Sequence, residues 1–405
     1  MHGSRRWFLA AGSAVLAGGA GRAEVCAGVA TPDWAAMLVA LATDLHGPGL
    51  IKSFVTRAPG SDGAVAFDRT HANCAFVYDN AVAGLALLAC RRGDLAVRIG
   101  AALREAQGRD RFFRDGRLRN GYAAGPMPAQ GAYPMPGWWD GDARAWREDA
   151  YHAGTATGVL AWAMLLWCAL ARAGFGQGFT DAAMRAGEFI ARALTAPAGF
   201  YGGFLGFEPA PQKLTWVSTE HAADLAAVFA RLGQAARAAH ARKLLDAVWL
   251  NGPGRFCSGL KPDGRLNDHM AVDANLWPAL LPDADAAWGR GLAAVLNQCG
   301  VAVARGLDGV DFNSDRDGIW LEGTAMAALA LGRAGDCAVR ARFLATLAAH
   351  TTAGRITATN VPVLSTGLAT GLTPDTPDFV YYQRPHLAPL AWAVLAARNA
   401  NPYTV

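Results

Sequence analysis

Asp79–Asp94 reads DNAVAGLALLACRRGD: an acid, an unbroken run of small and apolar residues, then a charged turn. About twelve apolar residues in a row, too small-rich for a strand and too short for a membrane span, fit a helix enclosed by other helices. The same design recurs five times. It starts at His152 (HAGTATGVLAWAMLL), Glu220 (EHAADLAAVFARLG), Asp273 (DANLWPALL), Glu322 (EGTAMAALALGRAGD) and His386 (HLAPLAWAVLAA). The spacing, between roughly 50 and 70 residues, leaves room in each repeat for two helices and two loops. Five of the runs are followed by a more polar helical stretch: Leu95–Gln107, Asp181–Leu194, Gln234–Val248, Ala284–Gln298 and Cys337–His350. Trp34–Leu45 supplies the sixth by wrapping round to the last run. Twelve helices in six hairpins predict an all-α, (α/α)6 toroid. An open solenoid would use the same helices, but its repeats would resemble one another along their length. Here the run starts carry unlike polar residues.

The remaining composition bounds the problem. The chain has 405 residues, 52% apolar and only 17% charged, with a net charge of +4. This supports a large core and gives no basic tract for nucleic acid. Ser4-Arg5-Arg6-Trp7-Phe8-Leu9 is a twin-arginine pattern leading into an apolar run that ends near Ala20. That run is too short to cross a bilayer and reads as a cleaved Tat signal, with cleavage after Ala23, Ala27 or Ala30. A buried first helix is the alternative, but Ala11–Ala20 lacks helical periodicity. The expected organisation is residues 1–30 as signal and linker and residues 31–405 as one catalytic domain. The Tat machinery is then an expected partner, and the mature protein is expected to be periplasmic or secreted, without a membrane span. The seven cysteines form no CxxC pair. Those inside apolar runs read as small buried hydrophobes, and one or two disulfides stay open.

In a toroid of alternating inner and outer helices, the inner N-termini gather on one rim. That rim would collect Asp79, His152, Glu220, His221, Asp273, Glu322 and His386. The aromatic and polar residues Tyr78, Trp138, Trp139, Asp140, Trp216, Trp320, Tyr382 and Arg384 lie beside them in sequence. Any single acid at a helix start also reads as a cap. Acids, histidines and aromatics converging from six hairpins exceed what capping needs. Indole and phenol rings stack on sugar C–H faces, while carboxylates, His and Arg bond hydroxyls. Glycoside hydrolysis needs a protonated carboxyl and a second carboxylate across the scissile bond.

Several segments resemble bacterial six-hairpin glycosidase-like proteins: Tyr78-Asp79-Asn80-Ala81, Trp216-Val217-Ser218-Thr219-Glu220-His221, Val272-Asp273-Ala274-Asn275-Leu276-Trp277, Asp311-Phe312-Asn313 and Ile319-Trp320-Leu321-Glu322-Gly323-Thr324. Tyr382, Arg384 and His386 fit the same pattern. The resemblance covers most of residues 32–402. It implies a carbohydrate substrate and glycosidase activity, with Asp79, Glu220, Asp273 and Glu322 as the catalytic acids. Tyr78, Trp138, Trp139, Asp140, His152, Trp216, His221, Trp320, Tyr382, Arg384 and His386 are the expected substrate contacts. A polysaccharide lyase would instead use Tyr382, Arg384, His386 and His152 as acid, neutralising cation and base. An isomerase or a non-catalytic glycan-binding protein complete the alternatives. No cofactor is expected. Asn313-Ser314-Asp315-Arg316-Asp317-Gly318 matches the first half of a calcium loop, with Asn313, Asp315 and Asp317 as ligands, although position twelve is Thr324 and not Glu. No zinc spacing occurs.

Overall fold

In the computed structural model, the structure describes residues 26, 30–58, 60–303, 306–369 and 379–405. The proposed Tat pattern at residues 4–9 lies outside the described residues. Six inner helices are α2 (Val77–Ala89), α4 (Thr157–Arg172), α6 (Thr219–Arg231), α8 (Val272–Leu280), α10 (Leu321–Ala334) and α12 (Leu387–Ala397). Six outer helices are α1 (Trp34–Thr43), α3 (Gly93–Gly108), α5 (Gly178–Ala193), α7 (Ala235–Val248), α9 (Arg290–Gln298) and α11 (Cys337–Ala349).

Each inner helix packs on the next, and α12 packs on α2, so the ring is closed. Closure rules out the open solenoid. It also explains the composition: α12 is buried on every side from Leu387 to Ala396, as a helix with neighbours all round must be. The outer helices each bury one face only; in α5 this is Phe179, Ala182, Ala183, Ala186, Gly187, Phe189 and Ile190. Trp34 on α1 donates from Nε1 to Thr351 Oγ1 at 3.0 Å, which ties the first helix to the last hairpin.

Two boundaries differ from the sequence expectation. His152 does not begin an inner helix. It sits in a short turn, Ala150–Ala153, that ends at an extended Gly154. Asn120 Oδ1 then takes the Ala156 N–H at 2.6 Å, and α4 begins at Thr157. The stretch 284–298 is also not one helix. Asp285 caps a short 3-10 turn, Ala286–Gly289, before α9.

Short strands, which helical periodicity could not show, cover the rim. The largest sheet has five strands in the order Leu266–Asn267, Gly259–Leu260, Gln212–Ser218, Tyr201–Leu205 and Thr155–Ala156. Cys26 is disulfide-bonded to Cys337 at the start of α11, 311 residues away. Cys74, Cys90, Cys168, Cys257 and Cys299 are free, and none is exposed.

Small residues set how closely inner helices approach. A Cβ on Gly84 of α2 would lie 2.7 Å from Leu166 Cδ1 of α4, and Leu166 is fully buried. Gly84→Val should therefore cost about 1–3 kcal/mol of unfolding free energy by overpacking. Gly47→Ala, where a Cβ meets nothing within 4 Å, should be near neutral. Chemical denaturation of the two variants checks this.

Candidate active site

Four of the six inner helices carry an acid in the first turn: Asp79 in α2, Glu220 in α6, Asp273 in α8 and Glu322 in α10. The first N–H of five helices is met by the rim backbone, Ser218 caps α6 through His221 N, and of the four acids only Asp273 accepts a first-turn N–H, from Ala274 at 2.7 Å. Val77, Thr219, Val272, Leu321 and Leu387 each donate their N–H to a neighbouring carbonyl, of Asn120, Ser258, Phe312, Ala358 and Ser53 respectively, at 2.9–3.0 Å. Residues beside the acids clamp the other flank. Asn80 exchanges two hydrogen bonds with the Ile51 backbone at 2.8 and 3.0 Å, and Asn275 does the same with Phe256 at 2.7 and 3.4 Å. Thr324 Oγ1 accepts from Val310 N at 3.1 Å. All four carboxyls line the cavity inside the ring.

They form two groups. On one side, Trp392 Nε1 donates to Tyr78 Oη at 2.9 Å, and Tyr78 donates to Glu322 Oε1 at 2.6 Å. His386 Nε2 lies 2.9 Å from Asp79 Oδ2, and its ring stacks on Phe54 at 3.9 Å. On the other side, Glu220 and Asp273 share a hydrogen bond, and Ser218 also bonds Glu220. Burial pushes Glu220 well above the usual carboxyl range, and the Asp273 and Asp224 charges push it the same way. Burial likewise raises Glu322, followed by Asp79 and Asp273, against the opposing Tyr78 hydrogen bond. Helix N-termini alone would have had the reverse effect; removal from water outweighs them.

All of these groups except Trp392 line one cavity of about 740 Å³. Trp216, Trp320, Tyr381 and Tyr382 form part of its wall, with Trp320 and Tyr381 stacked at 5.7 Å. His152 and His221 also line it, and burial lowers them to about 3 and about 4, so both are neutral near pH 7. Gly158 makes room for His221: a Cβ there would lie 2.3 Å from the imidazole. Lys261 is the only Lys or Arg among the described lining residues. Sequence reading missed Asp224, Tyr151, Phe67 and Phe379, which also line the cavity. Asp224 follows Glu220 by four residues, one helical turn, and that spacing could have found it.

Of the expected contacts, Tyr78, His152, Trp216, His221, Trp320, Tyr382 and His386 all reach the cavity. Trp138, Trp139, Asp140 and Arg384 do not. Trp138–Asp140 pairs with Ala145–Arg147 in a hairpin away from the cavity, where Trp139 is 63% exposed and Asp140 meets Arg147. Arg384 is committed to buried Asp68, through Nε to Oδ1 at 2.7 Å and Nη2 to Oδ2 at 2.8 Å. That pairing holds Asp68 far below the usual range despite burial.

Two of the expected calcium ligands, Asp315 and Asp317, come together with Asp311. Carboxylate oxygens of Asp311, Asp315 and Asp317 lie within 4.8 Å of one another, with Asn313 beside them. The loop closes on itself. Asp311 accepts from Phe312 N and Asp317 N, and Asp317 accepts from Ser365 N. Asp315 Oδ2 accepts from Asn313 and Ser365 Oγ. Burial and a hydrogen bond with Asp315 push Asp311 up to about 8. Thr324, at position twelve, turns its hydroxyl to backbone groups.

The raised carboxyls carry a stability signature. A carboxyl bound more tightly to its proton in the folded state adds proton uptake on folding, so stability falls as pH rises above the unfolded value near 4.3. Unfolding free energy should decline as pH rises above about 7, where the buried histidines are neutral in both states and no longer oppose the trend, by at most about 1.4 kcal/mol per pH unit per titrating group. Glu220→Gln and Glu322→Gln should each flatten that decline and stabilise the protein at neutral pH. Denaturant melts across the pH range measure both.

No protein-family model matches the chain, and no curated protein matches its sequence. Solved structures do match. A glycosidase variant in complex with glucose superposes with a TM-score of 0.59 at 14% identity, covering 91% of this chain and 96% of that one. An alpha-amylase from Clostridium perfringens gives 0.57 at 10% identity, covering 90% and 96%. Cellobiose 2-epimerase from Bacillus thermoamylovorans gives 0.58 at 10% identity, covering 90% and 94%. At these identities the likeness is one of fold: the chain is a six-hairpin (α/α)6 toroid along nearly its whole described length, built like these enzymes.

Proposed function

We propose that the protein is an enzyme that hydrolyses glycosidic bonds in a neutral oligosaccharide or at the end of a polysaccharide chain. The observation that carries this reading is a cavity lined by Asp79, Glu220, Asp224, Asp273 and Glu322, walled by indole and phenol rings, with no arginine among the described lining residues. Its volume lies within the usual small-ligand range of roughly 300–1,000 Å³. Aromatic rings set beside carboxyls and neutral imidazoles suit a polyhydroxylated ligand. The glycosidase and alpha-amylase neighbours act as precedent for the fold carrying such chemistry.

In this reading Glu220 is the proton donor, because burial, Asp273 and Asp224 keep it protonated at working pH. Glu322 is the opposing carboxyl; the reaction needs it ionised, a form that burial disfavours and the hydrogen bond from Tyr78, itself held by Trp392, favours. The lyase alternative loses its cation, since Arg384 is bound to Asp68 and outside the cavity. Glu220→Gln and Glu322→Gln should each lower release of new reducing ends by about 10²–10⁴-fold on a panel of neutral glycans. Ultraviolet absorbance from a new C=C bond in the same assay would move the assignment to a lyase. Binding that depends on Trp216, without turnover of any glycan, would indicate a binding protein.

One arrangement supports a second reading. The His386–Asp79 pair resembles an oriented general base, and one structural neighbour is an epimerase. Epimerisation would exchange a carbon-bound hydrogen for solvent deuterium without creating reducing ends.

We also propose export. A disulfide between Cys26 and Cys337 suits an oxidising compartment. Of the three expected cleavage sites, only the one after Ala23 retains Cys26. The exported protein should therefore begin at Glu24 and contain five free thiols, which intact mass and thiol counting would show.

A further inference from the structure

The hairpin of Trp138–Asp140 and Ala145–Arg147 uses its two faces differently. Residues directly opposite one another in an antiparallel pair project to the same side, and their neighbours to the other. Trp138 faces Arg147, and the Arg69 guanidinium lies over the Trp138 ring at 5.2 Å. Gly137 N donates to Asn73 Oδ1 at 3.1 Å and braces the same end. Trp139 and Trp146 are the opposed pair on the other face, and they are 63% and 52% exposed. Indoles gain much from burial, so two held outward on one small face exceed what packing needs. Gly137 also sets the Trp146 ring. A Cβ there would lie 2.5 Å from Trp146 Nε1, so the missing side chain lets the indole lie against the strand. Neither outward ring stacks on another aromatic ring among the described residues.

The hairpin lies outside the cavity but is built onto its wall. Phe67 and His71, in the segment that carries Arg69, line the cavity. At the other end Trp146 stands three residues before the lining residue Asp149, which limits their Cα separation to about 11 Å. Arg111 fixes the connecting Glu148 through both carboxylate oxygens, at 2.6 and 2.7 Å. We propose that Trp139 and Trp146 form a glycan-binding platform outside the cavity, which holds the body of a neutral polysaccharide whose end enters it. The inference rests on the glycan reading of the cavity and narrows its substrate to a polymer. The two indoles offer faces for sugar C–H groups, and exposed Asp142 and Arg144 at the hairpin tip can bond hydroxyls. Residues 137–147 carry two Asp and two Arg, so the hairpin has no net charge to draw nucleic acid or an anionic lipid surface. A second copy of the chain fits poorly as well. Stable protein interfaces bury about 800 Å² per partner. Two indoles of about 150–250 Å² each, partly covered, present less than about 300 Å². One extended sugar chain crossing both rings needs no more.

The test is affinity electrophoresis of full-length Glu220→Gln protein through native gels containing starch, mannan, xylan or a mixed-linkage β-glucan. That background leaves the polysaccharide intact, so retardation reads binding alone. Migration should slow in at least one gel. Adding Trp139→Ala and Trp146→Ala should weaken the retarding affinity by about tenfold. Trp139→Ala alone leaves the Trp146–Gly137 packing in place, so it should fold if the double substitution does not, and it should lose part of the affinity. No retardation in any gel, or equal retardation with and without the indoles, overturns the proposal. Sedimentation that changes from dimer to monomer on losing the indoles also overturns it, because the face would then cover a second copy. Failure of the functional reading gives a different result: retardation through the indoles with no hydrolysis by the unsubstituted protein. Hydrolysis of short oligosaccharides without retardation would defeat this proposal and leave the hydrolase standing. Where polysaccharide is hydrolysed, losing the indoles should raise its KM about tenfold more than that of a trisaccharide, with kcat held. An equal change on both would show a structural effect and overturn the platform.

Discussion

Five of the six inner helices begin with the same interaction: their first backbone N–H donates to a carbonyl on a neighbouring rim segment, Val77 to Asn120, Thr219 to Ser258, Val272 to Phe312, Leu321 to Ala358 and Leu387 to Ser53. The last of these joins the last inner helix to a segment near the start of the described chain. A buried helix start has orphan donors that must be met by something. In most helices a side-chain cap meets them, and the residues of the first turn are spent on it. Here the neighbour's backbone meets the first donor, and side chains meet further ones only at Ser218 before α6 and Asp273 in α8. The first turn is released to place Asp79, Glu220, Asp273 and Glu322 inward. Asn80, Asn275 and Thr324 then fix the rotation of their helices by bonding the preceding rim segment. The closed ring, the strand-covered rim and the cavity all follow from that arrangement.

Such placement has an energetic consequence. Carboxyls gathered from four helices are removed from water together, and the pull of the helix N-termini does not compensate. Glu220 and Glu322 therefore retain protons where an exposed glutamate would not. Stability is lowered at neutral pH by the same burial that prepares a proton donor, the usual conflict between a stable core and a reactive one. Histidines on the wall show the complementary effect: His152 and His221 are neutral and act as hydrogen-bonding groups without adding charge. The positive charges that could have offset the acids are held elsewhere. Arg384 serves Asp68, and Arg119 serves Asp110 and Glu208.

The closing elements lie at both ends of the chain. Cys26 is bonded to the start of α11, and α1 packs on α12, so the N-terminal region seals the seam between first and last hairpins. Residues 401–405 bridge the C-terminal ends of α4, α6 and α8. A ring of short helices joined by loops gains its rigidity from such cross-ties, because each hairpin alone buries only part of its apolar surface.

Periodicity and composition by themselves determined the helical class, the six hairpins and the helices of all but two hairpins to within a few residues; together with the family resemblance they also named the four acids and seven contacts that reach the cavity. Those features are local: an enclosed helix must be apolar on all sides, and a rim acid must precede it. Tertiary structure alone decided ring closure, the position of α4 after His152, and the rim strands, which are too short to leave a period-two pattern. It also separated Trp138, Trp139, Asp140 and Arg384 from the cavity, since adjacency in sequence does not fix which way a loop folds. Asp224 was legible only as an acid inside an apolar helix. Its pairing with Tyr403, 179 residues later, depends on where the chain's end is brought by the closed ring.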